Sequence, residues 1–97
     1  MKKNIPDDPA DAIHLEQLPG IGPAMAADLR LLGITHPAEL TGQDAYRLYD
    51  SLCKRTGARH DPCVIDVFLG AIHYMNTGEV LPWWRFTPER KQVLDKP

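Results

Sequence analysis

The sequence predicts an all-α fold, a compact bundle of five or six short helices, on three observations. No stretch alternates apolar and polar residues as a half-buried strand does. Apolar residues recur instead at helical spacing, most plainly at Ala45, Leu48, Tyr49, Leu52 and Cys53. Helix punctuation is frequent, with proline or a small polar residue at starts and glycine at ends. A chain of 97 residues has room for one core, which is expected over residues 10–81. A flexible polar tail, residues 1–9, is expected before it. A Trp-containing arm and short helix, residues 82–97, are expected to pack back on it.

The elements follow in order. A first short helix is expected over residues 9–17, with Ile13 and Leu15 among its few apolar residues. The turn Leu18-Pro19-Gly20-Ile21-Gly22 comes next. Pro23 suits the first position of a second helix, because its missing N–H would be unpaired there anyway. That helix runs to Leu32, and Gly33 suits a left-handed residue just past the end. Residues 35–40 read as a short helical turn. Thr41-Gly42-Gln43-Asp44 resembles a capping box with Asp in place of Glu. It leads into the striped helix, whose opposite face carries Arg47, Asp50, Ser51 and Lys54 and which Gly57 ends. Asp61 caps the next helix, with Pro62 at its first position. Its body, residues 63–75, is apolar on nearly every side and belongs in the middle of a small core. Gly70 lowers helix propensity there by about 1 kcal/mol, so a close approach by a neighbouring helix is expected. Gly78 ends this helix, residues 82–86 read as an extended aromatic arm, and Thr87 opens a short last helix.

Composition excludes several classes. The net charge is −2, so no global basic field announces nucleic acid. The charge is uneven: residues 1–50 hold four Lys/Arg against eight Asp/Glu, and residues 51–97 hold seven against five. Apolar stretches fall short of a membrane span, and the two N-terminal lysines precede no apolar segment of a secretory signal. Two cysteines are too few for a disulfide scaffold. A cytoplasmic protein, monomeric or weakly dimeric, is expected.

The residues from Leu18 to Ile34 hold most of the functional information. Two glycines bracket Ile21 and a proline then opens a helix, which exposes backbone N–H groups where anions bind well. Leu15, Leu18, Gly20, Ile21, Gly22, Ala26, Leu29, Gly33 and Ile34 resemble a helix-hairpin-helix motif. The resemblance implies amides that hold DNA phosphates without reading sequence, each bond worth about 1.5–3 kcal/mol at best. It also allows a sodium or potassium ion on the hairpin carbonyls. Ala24 and Met25 stand where many such hairpins carry Lys or Arg. Over residues 10–90 the chain further resembles a small bacterial family of pathogenicity-locus or mitomycin-resistance proteins. That likeness rests on the hairpin, on residues 61–68 and on Pro82-Trp83-Trp84-Arg85-Phe86.

Hairpins of this kind often come in pairs, and the loop Lys54-Arg55-Thr56-Gly57-Ala58-Arg59-His60 between two helices fits a degenerate second copy. It is the most basic cluster in the chain. The expected phosphate contacts are therefore Gly20, Ile21 and Gly22 on one strand, and Lys54, Arg55 and Arg59 on the other. The bland alternative for Lys54 and Arg55 is a solvated turn that complements a helix C-terminus. Binding of this type is weak and salt-sensitive, with Kd about 10⁻⁴–10⁻⁶ M.

No catalytic set emerges, and neither a metal nor another cofactor is expected. Cys53, His60, Cys63 and His73 could be drawn as a zinc set, but the tight cysteine pair of such sites is absent and buried free cysteine is the commoner explanation. Cys63, at a helix N-terminus near His60, could carry a lowered pKa, though no orienting third group can be named. Asp66 and His73 share a helix face but lie about 10.5 Å apart along the axis. Asp44 falls where some glycosylases have a catalytic Asp, but so small a domain has no pocket to enclose a flipped base. Trp83 and Trp84 could stack on bases or anchor a partner protein, against the plainer expectation that they dock the arm on the core. Two functions follow: a non-sequence-specific DNA-binding domain linked to DNA repair or mitomycin resistance, and a protein-interaction module using the Trp arm.

Overall fold

The computed structural model describes residues 5–95. Among them are four α-helices and no strand: α1 (Pro23–Leu31), α2 (Ala45–Thr56), α3 (Cys63–Thr77) and α4 (Thr87–Asp95). Four short 3-10 turns join them, at Pro9–Asp11, Leu15–Gln17, Pro37–Leu40 and Trp83–Phe86. The chain is therefore all-helical, with α-helices fewer than the five or six expected. The radius of gyration, 12.8 Å, matches the roughly 12.5 Å of a compact domain of this length.

Residues 9–17 differ from the expected helix. Pro9–Asp11 and Leu15–Gln17 are separate turns, with Ala12 and His14 extended at ψ 118° and 139°. The Gln17 side-chain carbonyl accepts from the amides of both Ile13 and His14 at 2.8 Å, which holds the break between them. So short a segment gains too few helical bonds to offset nucleation. Ile13 points out to solvent while Ala12 and Leu15 are buried.

The capping box expected at Thr41 is not the cap used. Asp44 caps α2, its carboxylate accepting from the amides of Tyr46 and Arg47. Asp61 does receive the Cys63 amide at 2.9 Å, as a capping residue would. The end of α1 closes as expected: Gly33 has φ +87°, its amide bonds to Arg30, and the Ile34 amide reaches back to Leu29. This is a Schellman closure, and its apolar partners Leu29 and Ile34 are both buried.

Helix α3 is the hub. Phe68, Ala71, Ile65, Ile72 and Tyr74 are buried around it. It packs against α2, α4 and three of the four turns. Each large apolar side chain fully buried there is worth about 1.5–3 kcal/mol. The neighbour that comes close at Gly70 is not a helix. A Cβ at that position would meet the Phe86 ring at 3.5 Å and the Leu81 carbonyl at 3.8 Å. The arm is folded rather than extended, and Phe86 seats it on α3, its ring lying edge-on to His73 at 5.7 Å. His73 in turn meets Glu79 at 2.7 Å. Of the expected N-terminal tail, residues 1–4 lie outside the described residues. Pro6 accepts a hydrogen bond from the Tyr74 hydroxyl, and Pro9 lies against Gly78.

One carboxylate sits inside this core. Asp66 is 0% exposed and accepts from Arg90 Nε at 3.0 Å, Arg90 Nη2 at 3.2 Å and the Thr87 hydroxyl at 2.8 Å. The pair fixes α4 on α3, and the Asp66 carboxylate beside it holds the Arg90 guanidinium more firmly protonated than usual. Arg90→Ala strands that carboxylate and is expected to lower stability in urea unfolding by about 3–5 kcal/mol. The double variant Asp66→Leu/Arg90→Met should recover most of the loss. Equal losses in both proteins would show that the ion pair does not govern the packing of α4.

Candidate nucleic-acid interface

The expected phosphate seat begins at a tight turn. Leu18, Pro19, Gly20 and Ile21 form it, closed by the Ile21 amide donating to the Leu18 carbonyl at 3.2 Å. Proline at the second position and glycine with φ +74° at the third are the signature of a type II turn. Leu18 and Ile21 are fully buried, so both ends of the turn are anchored in the core. An ion pair of 2.9 Å between Glu16 and Arg30 ties the preceding segment to α1, and the Arg30 guanidinium is the main cause holding the Glu16 carboxyl below its usual range.

This arrangement changes the expected donor set. Ile21 already commits its amide to the turn. No described residue accepts from the amides of Gly20, Gly22 or Ala24, and Gly22, the N-cap residue before α1, provides no side-chain cap. The positive end of the α1 dipole and these amides are what the hairpin offers an anion.

The two glycines are not equivalent. Gly20 needs its positive φ, and a Cβ there would press on Val67 of α3 at 3.3 Å. Gly22 has φ −93° and ψ −174°, ordinary extended backbone, and a Cβ there would meet nothing within 4 Å. The fold demands glycine at the first position only. At the second, the missing side chain leaves open space beside the amides.

The basic cluster lies between α2 and α3. Its loop is pinned by the Tyr49 hydroxyl donating to the His60 carbonyl and by Thr56 Oγ1 2.9 Å from His60 Nε2. Burial is the main cause pushing the Tyr49 phenol up, which keeps it a donor. Lys54 pairs with Asp50 at 2.9 Å on an open surface, a contact worth little. Arg55 and Arg59 are exposed, and neither has a carboxylate partner among the described residues. Lys54 and Arg59 line a shallow surface depression that no hairpin residue shares. Hairpin and basic cluster are thus two separate patches, each against an end of α2 or the first turns of α3.

The remaining candidates are dispersed. No three His, Cys, Asp or Glu side chains among the described residues form a metal-ligating group. Cys53 and Cys63 are both free thiols. The Cys63 thiol is not activated as its position at a helix start suggested. The Asp61 carboxylate beside it is the largest cause pushing it up, ahead of burial. Trp83 and Trp84 keep 42% and 58% of their surface exposed, whereas Phe86 lies against Gly70 of α3. Sequence reading missed the Asp66–Arg90–Thr87 cluster, although Thr87 and Arg90, three apart on α4, were a legible one-face pair.

A family model described as Cdd1, pathogenicity locus, matches residues 8–92. The chain belongs to this family. It is 34% identical over 85 residues to a protein of Streptomyces lavendulae named mitomycin resistance protein McrB, covering 88% of this chain and 81% of that one. No solved structure matches. No helix among the described residues is long and apolar enough to cross a membrane.

Two outcomes are expected. Gly20→Ala should lose about 1–2 kcal/mol of stability from its left-handed backbone, whereas Gly22→Ala should melt within about 0.5 kcal/mol of the parent. Equal melting losses would overturn the distinction between the two glycines. Alkylation of Cys63 at neutral pH is expected to be slow, and Asp61→Asn should accelerate it severalfold by removing the charge that raises the thiol. An unchanged rate would show that Asp61 does not control it.

Proposed function

We propose that this chain is a non-sequence-specific DNA-binding domain, built on a helix-hairpin-helix motif, that grips backbone phosphates and performs no catalysis. The observation that carries this reading is Gly22: the fold does not require glycine there, yet its absence of side chain keeps the uncapped start of α1 open. A phosphate oxygen is the chemistry such a seat suits. The amides of Gly20, Gly22 and Ala24 supply the donors on one strand. Lys54, Arg55 and Arg59, on a degenerate second hairpin, supply charge for the other. The acidic N-terminal half opposes DNA approach, which suits weak binding and a role beside a larger assembly. Kinship with a mitomycin resistance protein favours a setting in DNA repair or protection. A sodium or potassium ion on the hairpin carbonyls is compatible with this reading.

Fluorescence anisotropy with labelled duplex DNA tests it. About four phosphate contacts should weaken binding roughly hundredfold between about 50 and 200 mM salt. Gly22→Ala should lower affinity without lowering the melting temperature, and alanine at Lys54, Arg55 and Arg59 together should flatten the salt dependence. Unchanged affinity in both variants sinks the proposal.

A second reading is favoured by the exposure of both tryptophans on the arm. A protein-interaction module using Trp83 and Trp84 would associate with its partner independently of salt and lose that association in Trp84→Ala. Such a module leaves duplex DNA unbound.

A further inference from the structure

Beside the hairpin lies an apolar cavity of ≈ 350 Å³, set between the turn, α3 and the arm. Pro19 and Gly20 of the turn, Val67 and Gly70 of α3, Trp83 of the arm and Ile5 of the N-terminal segment line it. No charged side chain lines it. Its size falls within the range of small-ligand pockets. Trp84 is the more exposed of the two indoles but takes no part in its walls.

Gly20 belongs both to this cavity and to the row of open amides. A group that satisfies both has an anionic oxygen and a flat, largely apolar ring on a short linker, which is the chemistry of a nucleotide. In an intact duplex the base is held in the stack and cannot reach such a slot. An unpaired base can, and an indole offers it a stacking surface that does not depend on sequence. Resting on the DNA reading above, we infer that the Trp83 cavity receives an unpaired base whose phosphate sits on the hairpin. The preferred substrate is then DNA interrupted by a single-stranded gap or overhang rather than intact duplex.

The test compares two labelled DNAs, one duplex and the same duplex with a short central gap. The gapped DNA is expected to bind about five- to hundredfold more tightly. Trp83→Ala should abolish that preference and Trp84→Ala should keep it. As a second measurement that does not rely on removing Trp83, the Trp84→Phe protein retains a single indole, whose fluorescence gapped DNA should quench and duplex should not. Equal affinity for the two DNAs, with binding still weakened by Gly22→Ala, overturns this inference and leaves the DNA reading standing. A gap preference that survives Trp83→Ala, or a gapped DNA that leaves the lone indole unquenched, overturns it as well. Failure to bind either DNA overturns both.

Discussion

Everything in this molecule is arranged around a helix that cannot tolerate water on most of its circumference. Helix α3 presents apolar residues in nearly every direction, and so small a chain has few elements with which to cover them. Helix α2 takes one side, and 3-10 turns from both ends of the chain take others. The single buried charge on α3 then decides where the last helix goes. Asp66 cannot be buried without partners, and Arg90 and Thr87 supply them. The ion pair is thus less a source of stability than a fixing point, since an apolar substitute would pack as well without specifying the same register.

The hairpin inherits its position from this constraint. Leu15, Leu18, Ile21, Ala26 and Leu29 all enter the core, so the turn between Leu18 and Ile21 is clamped at both ends. A turn clamped at both ends holds its backbone amides in fixed positions. The same clamping removes Ile21 as a donor. What remains available is the start of α1, where the fold asks nothing of Gly22.

Exposure of the tryptophans follows from similar accounting of space. Gly70 admits the Phe86 ring against α3, and once Phe86 fills that gap the two indoles before it are left at the surface. Trp83 borders both the hairpin cavity and a second cleft, which it shares with Trp84, Cys63 and Lys91. Only Trp83 reaches the hairpin cavity, because a 3-10 turn sends neighbours in directions about 120° apart.

Local sequence was sufficient for features that depend on local bonds. The all-helical class, the stripe on α2, the proline that opens α1, the Schellman closure at Gly33 and the central place of α3 follow from periodicity and from the conformational limits of proline and glycine. The turn after Leu18 was legible for the same reason, since its proline, glycines and flanking apolar residues are contiguous. What only the tertiary structure decided was which partners distant residues find. The break at residues 9–17, the Asp44 cap, the seating of Phe86 against Gly70, the burial of Asp66 with Arg90 and the raised Cys63 thiol all turn on side chains meeting in space. Propensity speaks for a residue's own backbone, but burial and charge pairing are properties of the whole packed chain, and no spacing within one segment encodes them.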